Sequence, residues 1–406
     1  MVSRLASSVR TGRAGQALAM AALAVSAAAP AAAADFDSCV AGIRESAIAK
    51  GVSASTFDRV MTGVTPDAKV VESMETQPEF KTPIWDYMAF LVDQKRVDDG
   101  RQMMTRHAAA LSSAEARYGV DRYVIAAVWG VESDYGQLAG RWSLAQALAT
   151  LVCTGPRRQD YFRGELIAAL QIVDRGDLTP EELRGSWAGA VGQTQFMPST
   201  YLRLAVDGDG DGRRDLVGST ADALHSTANY LARSGWVTGT AWGYEVRLPD
   251  HYAGPSGRTQ KQPMSAWSAL GIRRIDGSPL PGSASAALLI PAGPAGPAFL
   301  VFKNFDAIYS YNAAESYALA IGVLSDQLRG GRGVQTPWPT DDRGLSRAER
   351  KEVQELLLRR GYDIGEADGA IGARTRQALT GYQAKIGLPT DGRAGGHVLD
   401  ALRAGR

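Results

Sequence analysis

One acidic side chain in this sequence stands where burial would give it unusual chemistry. In the run Trp129-Gly130-Val131-Glu132-Ser133-Asp134-Tyr135-Gly136, helical spacing back from Glu132 reaches Val128, Trp129 and Ile125. The carboxyl therefore falls on the apolar stripe of a helix that Asp121 can cap and Gly136 can end. Desolvation disfavours the charged form and raises a carboxyl pKa, the condition for a general acid working near neutral pH. The plainer reading of the same spacing is a Glu at the polar edge of the stripe, paired with an Arg.

Two further constellations carry chemistry. The run Ser186-Trp187-Ala188-Gly189-Ala190-Val191-Gly192-Gln193-Thr194-Gln195-Phe196-Met197-Pro198-Ser199-Thr200-Tyr201 mixes small residues that permit close approach, amide and hydroxyl groups that bond to hydroxyls and N-acetyl groups, and aromatics that stack on sugar faces. That mixture suits carbohydrate, and a Gly-rich turn packed on a helix shares it. The run Asp207-Gly208-Asp209-Gly210-Asp211-Gly212-Arg213-Arg214-Asp215 places carboxylates at positions 1, 3, 5 and 9 of a calcium loop, with Gly at position 6 and only the carbonyl of Arg213 at position 7. Position 12 is Gly218, where a Glu normally completes the cage. An Asp/Gly turn without metal is the alternative, but like charges this dense repel without a cation. The four histidines, His107, His225, His251 and His397, share no metal-ligand spacing, so neither a zinc site nor a histidine-based triad is expected.

These groups need a helical frame. Residues 106–118, 122–133, 164–175 and 219–234 carry 3.6-residue apolar patterning. Between about 242 and 304 short apolar runs separated by Gly and Pro predict a small inserted strand region, after which a helix resumes over 314–328. Residues 331–344 have linker composition, and 345–406 carry their own apolar set, including Val353, Leu357, Leu379, Tyr382 and Leu399. A unit that small is expected to be a separate module on a marginal core.

The amino terminus reads as an export signal. Arg4, Arg10 and Arg13 precede an apolar run from Ala17 to Ala29 and a small-residue cleavage site ending at Ala34. The run is too short to span a membrane, so the expectation is a protein with no transmembrane anchor, exported to the periplasm with residues 1–34 removed. Losing three arginines and no acids takes the formal charge from +1 to −2, which leaves no electrostatic footprint for nucleic acid. Both cysteines, Cys39 and Cys153, remain after cleavage and are expected to pair in an oxidising compartment.

The Glu132 run and the 186–201 run, together with Tyr161-Phe162-Arg163-Gly164-Glu165-Leu166, Ala228-Asn229-Tyr230-Leu231, Asn304-Phe305-Asp306-Ala307-Ile308 and Tyr309-Ser310-Tyr311-Asn312, resemble the membrane-bound lytic transglycosylase B family of bacterial cell-wall enzymes over nearly all of Phe36 to Leu328. The resemblance implies an α+β, mainly α fold: a lysozyme-like helical domain over 35–330 with a small inserted β region. It implies that Glu132 serves alone as acid and then base, that Ser186, Gln195 and Phe196 line the cleft, and that Tyr230, Tyr311, Asn312 and Tyr317 match later cleft positions. Tyr87 stands at the expected distance before Glu132, where core packing is an equal reading. The family's acidic loop has a late last carboxylate, a role Asp222 can fill beside Asp207, Asp209, Asp211 and Arg213. The tail resembles the three-helix peptidoglycan-binding domain in Leu345-Ser346-Arg347-Ala348-Glu349, Asp368-Gly369-Ala370-Ile371-Gly372 and Gly387-Leu388-Pro389-Thr390-Asp391-Gly392.

The implied reaction cleaves the β-1,4 bond between N-acetylmuramic acid and N-acetylglucosamine without water, leaving a 1,6-anhydro end. Asp134, at i+2 on a helix, would point away from Glu132, so the two-carboxyl arrangement of most glycosidases is not evident. No cofactor is required for that chemistry, and any calcium would be structural. A hydrolytic muramidase of the same fold and a non-catalytic wall-binding scaffold are the alternatives.

Overall fold

The computed structural model describes residues 29–75 and 82–405. The export leader lies outside the described residues apart from 29–34, which open the first helix, Ala29–Ala49.

Two apolar cores share the larger domain. The first forms around helix Arg122–Ser133, in which every residue from Val124 to Gly130 is buried. A helix apolar on all sides belongs at the centre of a domain, and helix Glu315–Leu328 lies antiparallel against it. Tyr317 at the start of one meets Glu132 at the end of the other, while Arg329 pairs with Asp121 at the opposite ends. The second core gathers the amino-terminal helices around Leu144–Cys153 and Gln159–Asp174, with Val191 and Phe196 of the segment that follows them. Tyr230 and Tyr311 pack against both cores, so the seam between them is where side chains of distant origin meet.

The strand region is a five-stranded antiparallel sheet in the order Gln262–Pro263, Ser285–Leu289, Ala298–Val301, Gly243–Arg247, Arg273–Arg274. Alternation along its strands sends Ala287, Leu289, Phe299 and Val301 into the first core. It sends Ala286, Leu288, Ala298 and Leu300 into a small core behind the sheet. Burial on both faces is why the sequence shows continuous apolar runs there.

The structure corrects three expectations. The helix expected over 106–118 starts two residues later, as Ala108–Tyr118, because Arg106 ends a separate helix, Gln94–Arg106, and His107 stands between the two. The Glu132 helix stops at Ser133, before Gly136: Asp134 (φ 54°) and Tyr135 (φ 59°) turn left-handed in succession. The third correction concerns the tail. Helices Arg347–Arg359, Ala373–Ile386 and Gly396–Arg403 do surround their own core of Leu345, Val353, Leu357, Leu379, Tyr382 and Leu399, opened by a Ser346/Glu349 capping box. Yet residues 331–344 are no free tether. Val334 and Trp338 pack on the first core, and the Glu245 carboxylate accepts the amides of Gln335 and Thr336, both at 2.8 Å. Linker composition describes a chain without its own core, and this one borrows its neighbour's.

Candidate active site

Glu132 lies half-buried near the carboxyl end of its helix. Its Oε1 accepts the Tyr317 hydroxyl at 2.5 Å. Burial pushes its carboxyl up to about 7, with the Tyr317 hydrogen bond, which favours the anion, pulling the other way. Burial also holds the Tyr317 phenol well above its ordinary range, so that hydroxyl is a donor at neutral pH. The paired-arginine reading of Glu132 is thereby set aside, because among the described residues no arginine contributes to its environment.

An aromatic wall stands beside the acid. The Tyr311 ring stacks on Tyr317 with centroids 6.2 Å apart and planes at 15°, and Tyr230 lies 4.7 Å from Tyr311. Backbone carbonyls hold both phenols: Tyr311 donates to Thr194 O at 2.7 Å and Tyr230 to Ser310 O at 2.6 Å. Phe196 touches both rings from behind, at 5.8 and 5.9 Å, but is only 2% exposed. It backs the wall and does not face the cleft. Gln195, left-handed at φ 52°, spends its Nε2 on the carbonyls of Ala139 (2.9 Å) and Gly192 (2.8 Å). The Ser186 hydroxyl accepts the amide of Ala190 at 3.0 Å, closing its own turn. Asn312 is exposed at the last position of helix Lys303–Asn312. Tyr87, on helix Ile84–Leu91, packs against the first core and contributes to the surroundings of Tyr317.

Residues outside the expected set build the frame. Gln193 is buried and bonded at both ends of its amide: Oε1 accepts Trp129 Nε1 at 3.0 Å and the Thr220 hydroxyl at 3.3 Å, and Nε2 donates to Val217 O at 3.1 Å. Its carbonyl also accepts the Ser133 hydroxyl. It therefore ties the Glu132 helix to the 186–201 run and the acidic loop at once. Its only signal in the sequence is a polar residue among small ones. Tyr135 folds its ring back between Gly100 and Gly130, where a Cβ at either position would strike it, and donates to Arg96 O at 2.9 Å. Asp134 is turned off the helix altogether, its carboxylate lying between Arg96 and Arg347.

In the acidic loop, Asp207, Asp209 and Asp211 bring carboxylate oxygens within 4.8 Å of one another. Backbone amides organise the turn: Asp207 accepts those of Gly210 (2.6 Å) and Gly212 (2.9 Å), which hold its carboxyl below the usual range. Three hard oxygens this close fit a cation such as calcium. Asp222 does not join them. It is fully buried, with Oδ1 accepting the amides of Gly208 and Asp209 and Oδ2 that of Asp215 at 2.6 Å. The side chain of Arg213 reaches away to Asp177 O and Glu182, both at 3.0 Å, leaving its carbonyl as the only group it can offer. Cys39 and Cys153 are joined, Cα atoms 5.9 Å apart.

A helical domain with a buried acid, Glu132, beside the seam of two cores, followed by a three-helix module, defines a class. Residues 35–326 match the transglycosylase SLT domain and residues 346–402 a peptidoglycan binding domain. The chain belongs to the transglycosylase SLT family, and its larger domain has that family's lysozyme-like fold. Among its relatives, membrane-bound lytic murein transglycosylase B of Escherichia coli K12 is 35% identical over 240 residues, which cover 59% of this chain and 65% of that protein, just under two thirds of its length. The crystal structure of SltB3 from Pseudomonas aeruginosa in complex with NAG-anhNAM-pentapeptide is 45% identical, with 91% of this chain and 99% of that one covered at a TM-score of 0.73. Escherichia coli Slt35 in complex with calcium is 29% identical, covering 72% and 92% at a TM-score of 0.64.

Tyr317→Phe tests the acid's surroundings. Removing the donor that favours the anion leaves burial unopposed, so the alkaline limb of the kcat/KM profile is expected to move to higher pH. A limb that stays in place would mean that the hydrogen bond does not tune the reacting group.

Proposed function

We propose that this protein is an exported peptidoglycan lytic transglycosylase that cleaves the β-1,4 bond between N-acetylmuramic acid and N-acetylglucosamine. Glu132, protonated near neutral pH, gives its proton to the bridging oxygen as the glycosidic bond breaks. The substrate's own N-acetyl group stabilises the positive anomeric carbon. The Glu132 carboxylate then removes the proton of the 6-hydroxyl, whose oxygen closes onto the anomeric carbon as a 1,6-anhydro ether. Water is neither added nor lost, and Glu132 ends protonated as it began.

The observation that carries this reading is the fate of Asp134: the neighbouring carboxylate is committed to two arginines, and no other described charge enters the balance at Glu132. A lone acid can run both proton transfers only if the substrate supplies the rest. The relative crystallised with NAG-anhNAM-pentapeptide supports the same product class. Tyr87, Ser186, Gln195, Tyr230, Tyr311, Asn312 and Tyr317 would line the glycan's path, with Phe196 behind them. Mass spectrometry of digested peptidoglycan decides the reading. Anhydro ends are expected, and reducing ends free of anhydro sugar would assign a hydrolase.

The three-helix tail would hold the wall and raise the local enzyme concentration on an insoluble substrate. A periplasmic location, reached by the cleavable leader, follows from that substrate. Among the described residues no helix is long and apolar enough to cross a membrane.

Calcium at Asp207, Asp209 and Asp211, with the Arg213 carbonyl, would be structural, since the proton transfers need no Lewis acid. Binding to the folded state alone should raise Tm on calcium addition, by about 2.7 kcal/mol of stability at a hundred times Kd. Asp209→Ala and Asp211→Ala should abolish that rise. Asp222→Ala should lower Tm with or without calcium, because it takes the buried acceptor from the amides of Gly208, Asp209 and Asp215. Variants at 209 and 211 that still gain stability from calcium would exclude the site.

A further inference from the structure

The tail is bound to the larger domain through buried charge. Arg393 grips Asp86 with two nitrogens, at 2.6 and 2.7 Å. Arg350 donates to Asp86 O at 2.8 Å and lies over the Phe90 ring at 4.6 Å. Arg347, the first residue of the tail's first helix, goes deeper. Its amide donates to Asp93 Oδ2 at 3.2 Å, and its Nη1 stands 2.8 Å from Asp134 Oδ2.

Asp134 follows the proposed acid by two residues, and it opens the left-handed turn on which the Glu132 helix ends. Left-handed backbone costs most residues other than Gly about 1–2 kcal/mol, less at Asp and in full at Tyr, and Asp134 and Tyr135 adopt it in succession. Something outside the turn must hold it. Tyr135 is fixed by its hydroxyl on Arg96 O. Asp134 has Arg96 Nε at 3.8 Å, beyond hydrogen-bond reach, and Arg347 at 2.8 Å. All three side chains are secluded, 8% exposed at Asp134, 4% at Arg96 and 18% at Arg347. Without Arg347 the Asp134 carboxylate would keep only the longer contact, to a guanidinium whose Nε has no hydrogen-bond partner among the described residues. Two cations at this point also face the negative end of the Glu132 helix.

We propose that Arg347 is a positioning residue for the glycan cleavage: by holding Asp134 it fixes the turn that orients Glu132, so the larger domain reaches full rate only with the tail docked. The inference rests on the reading of Glu132 as the acid. It replaces the view of the tail as a wall anchor alone, because one face of it then completes the catalytic frame.

The test uses the full-length protein and a short soluble glycan, which removes wall binding from the rate. Arg347→Met is expected to lower kcat roughly tenfold with KM within twofold, and to move the alkaline limb of the pH profile as the burial of Glu132 changes. Binding to sacculi should stay at the wild-type level. Arg347→Lys should recover most of kcat, since a lysine can reach Asp134 as a point charge. Asp134→Asn, similar in size, should reproduce the loss, and the double variant should be no worse than the worse single one. If Arg347→Met lowers Tm but leaves kcat within twofold and the pH profile unchanged, Arg347 merely docks the tail and the proposal fails. Glu132→Gln run alongside separates the two ideas. If that variant is inactive while Arg347→Met is fully active, only the positioning role is lost; if it remains active, the reading of Glu132 falls first.

Discussion

Glu132→Gln is expected to lose at least ~10²-fold in kcat on peptidoglycan while keeping its fold and its binding to sacculi. Gln keeps the size of the side chain and can still accept the Tyr317 hydroxyl, but it can neither give up nor take a proton, and general acid catalysis alone usually supplies ~10²–10⁴ in rate. Because one carboxyl performs both transfers in the proposed reaction, both steps fail together. The same variant has a signature in stability. In the unfolded chain this carboxyl ionises in the ordinary range, whereas in the folded protein burial delays ionisation to about 7. The unfolded state therefore releases its proton first, and wild-type stability falls as pH rises through that window. Gln does not ionise, so the variant should melt with wild type at pH 4 and above it at pH 8. A variant within tenfold of wild-type activity would remove Glu132 from its role, and equal melting temperatures at pH 8 would show that its carboxyl is not desolvated.

The second large effect concerns the cysteines. The bridge from Cys39 in the first helix to Cys153, the last residue of helix Leu144–Cys153, closes a sequence separation of 114 residues. Constraining so long a loop in the unfolded state, and losing that constraint, is worth about 2–5 kcal/mol. Cys39→Ser with Cys153→Ser should lower Tm by roughly 4–20 °C at the ~2–4 °C per kcal/mol typical of large domains. Activity at low temperature should survive, because the bridge braces the second core while Glu132 stands on the first. Two reactive thiols in the protein unfolded without reductant would show that no bridge forms. A melting temperature unchanged in the serine variant would show that the bridge does not bear on stability.

The burial of Glu132 was legible because its signal is local. Helical spacing placed it on an apolar stripe, burial of such a stripe follows from the hydrophobic effect, and a raised pKa follows from burial. The Asp121 cap was equally local, and its side chain does accept the Tyr123 amide at 2.8 Å. The acidic loop was legible for the same reason in Asp207, Asp209 and Asp211, which sit on one turn. Asp222 was not: eleven or more residues away from that turn, it could meet the loop through a cation or through backbone amides, and only the folded chain chose the amides.

What the tertiary structure decided was every pairing made across long stretches of chain. Tyr317 reaches Glu132 over 185 residues, Tyr311 reaches Thr194 over 117, and Arg393 reaches Asp86 over 307. No periodicity records which partner a polar group will find, because such bonds are directional and depend on where the packing of separate cores brings each side chain. The left-handed pair at Asp134 and Tyr135 was hidden for a related reason. Local preference puts Gly at a helix end, so the sequence pointed to Gly136, whereas contacts from Arg96 and from the docked tail stabilise a turn that local preference disfavours. The 331–344 segment shows the same division. Its composition revealed that it forms no core of its own, and only the fold revealed that Val334 and Trp338 complete another, since apolar burial is non-directional and any nearby surface with room will serve.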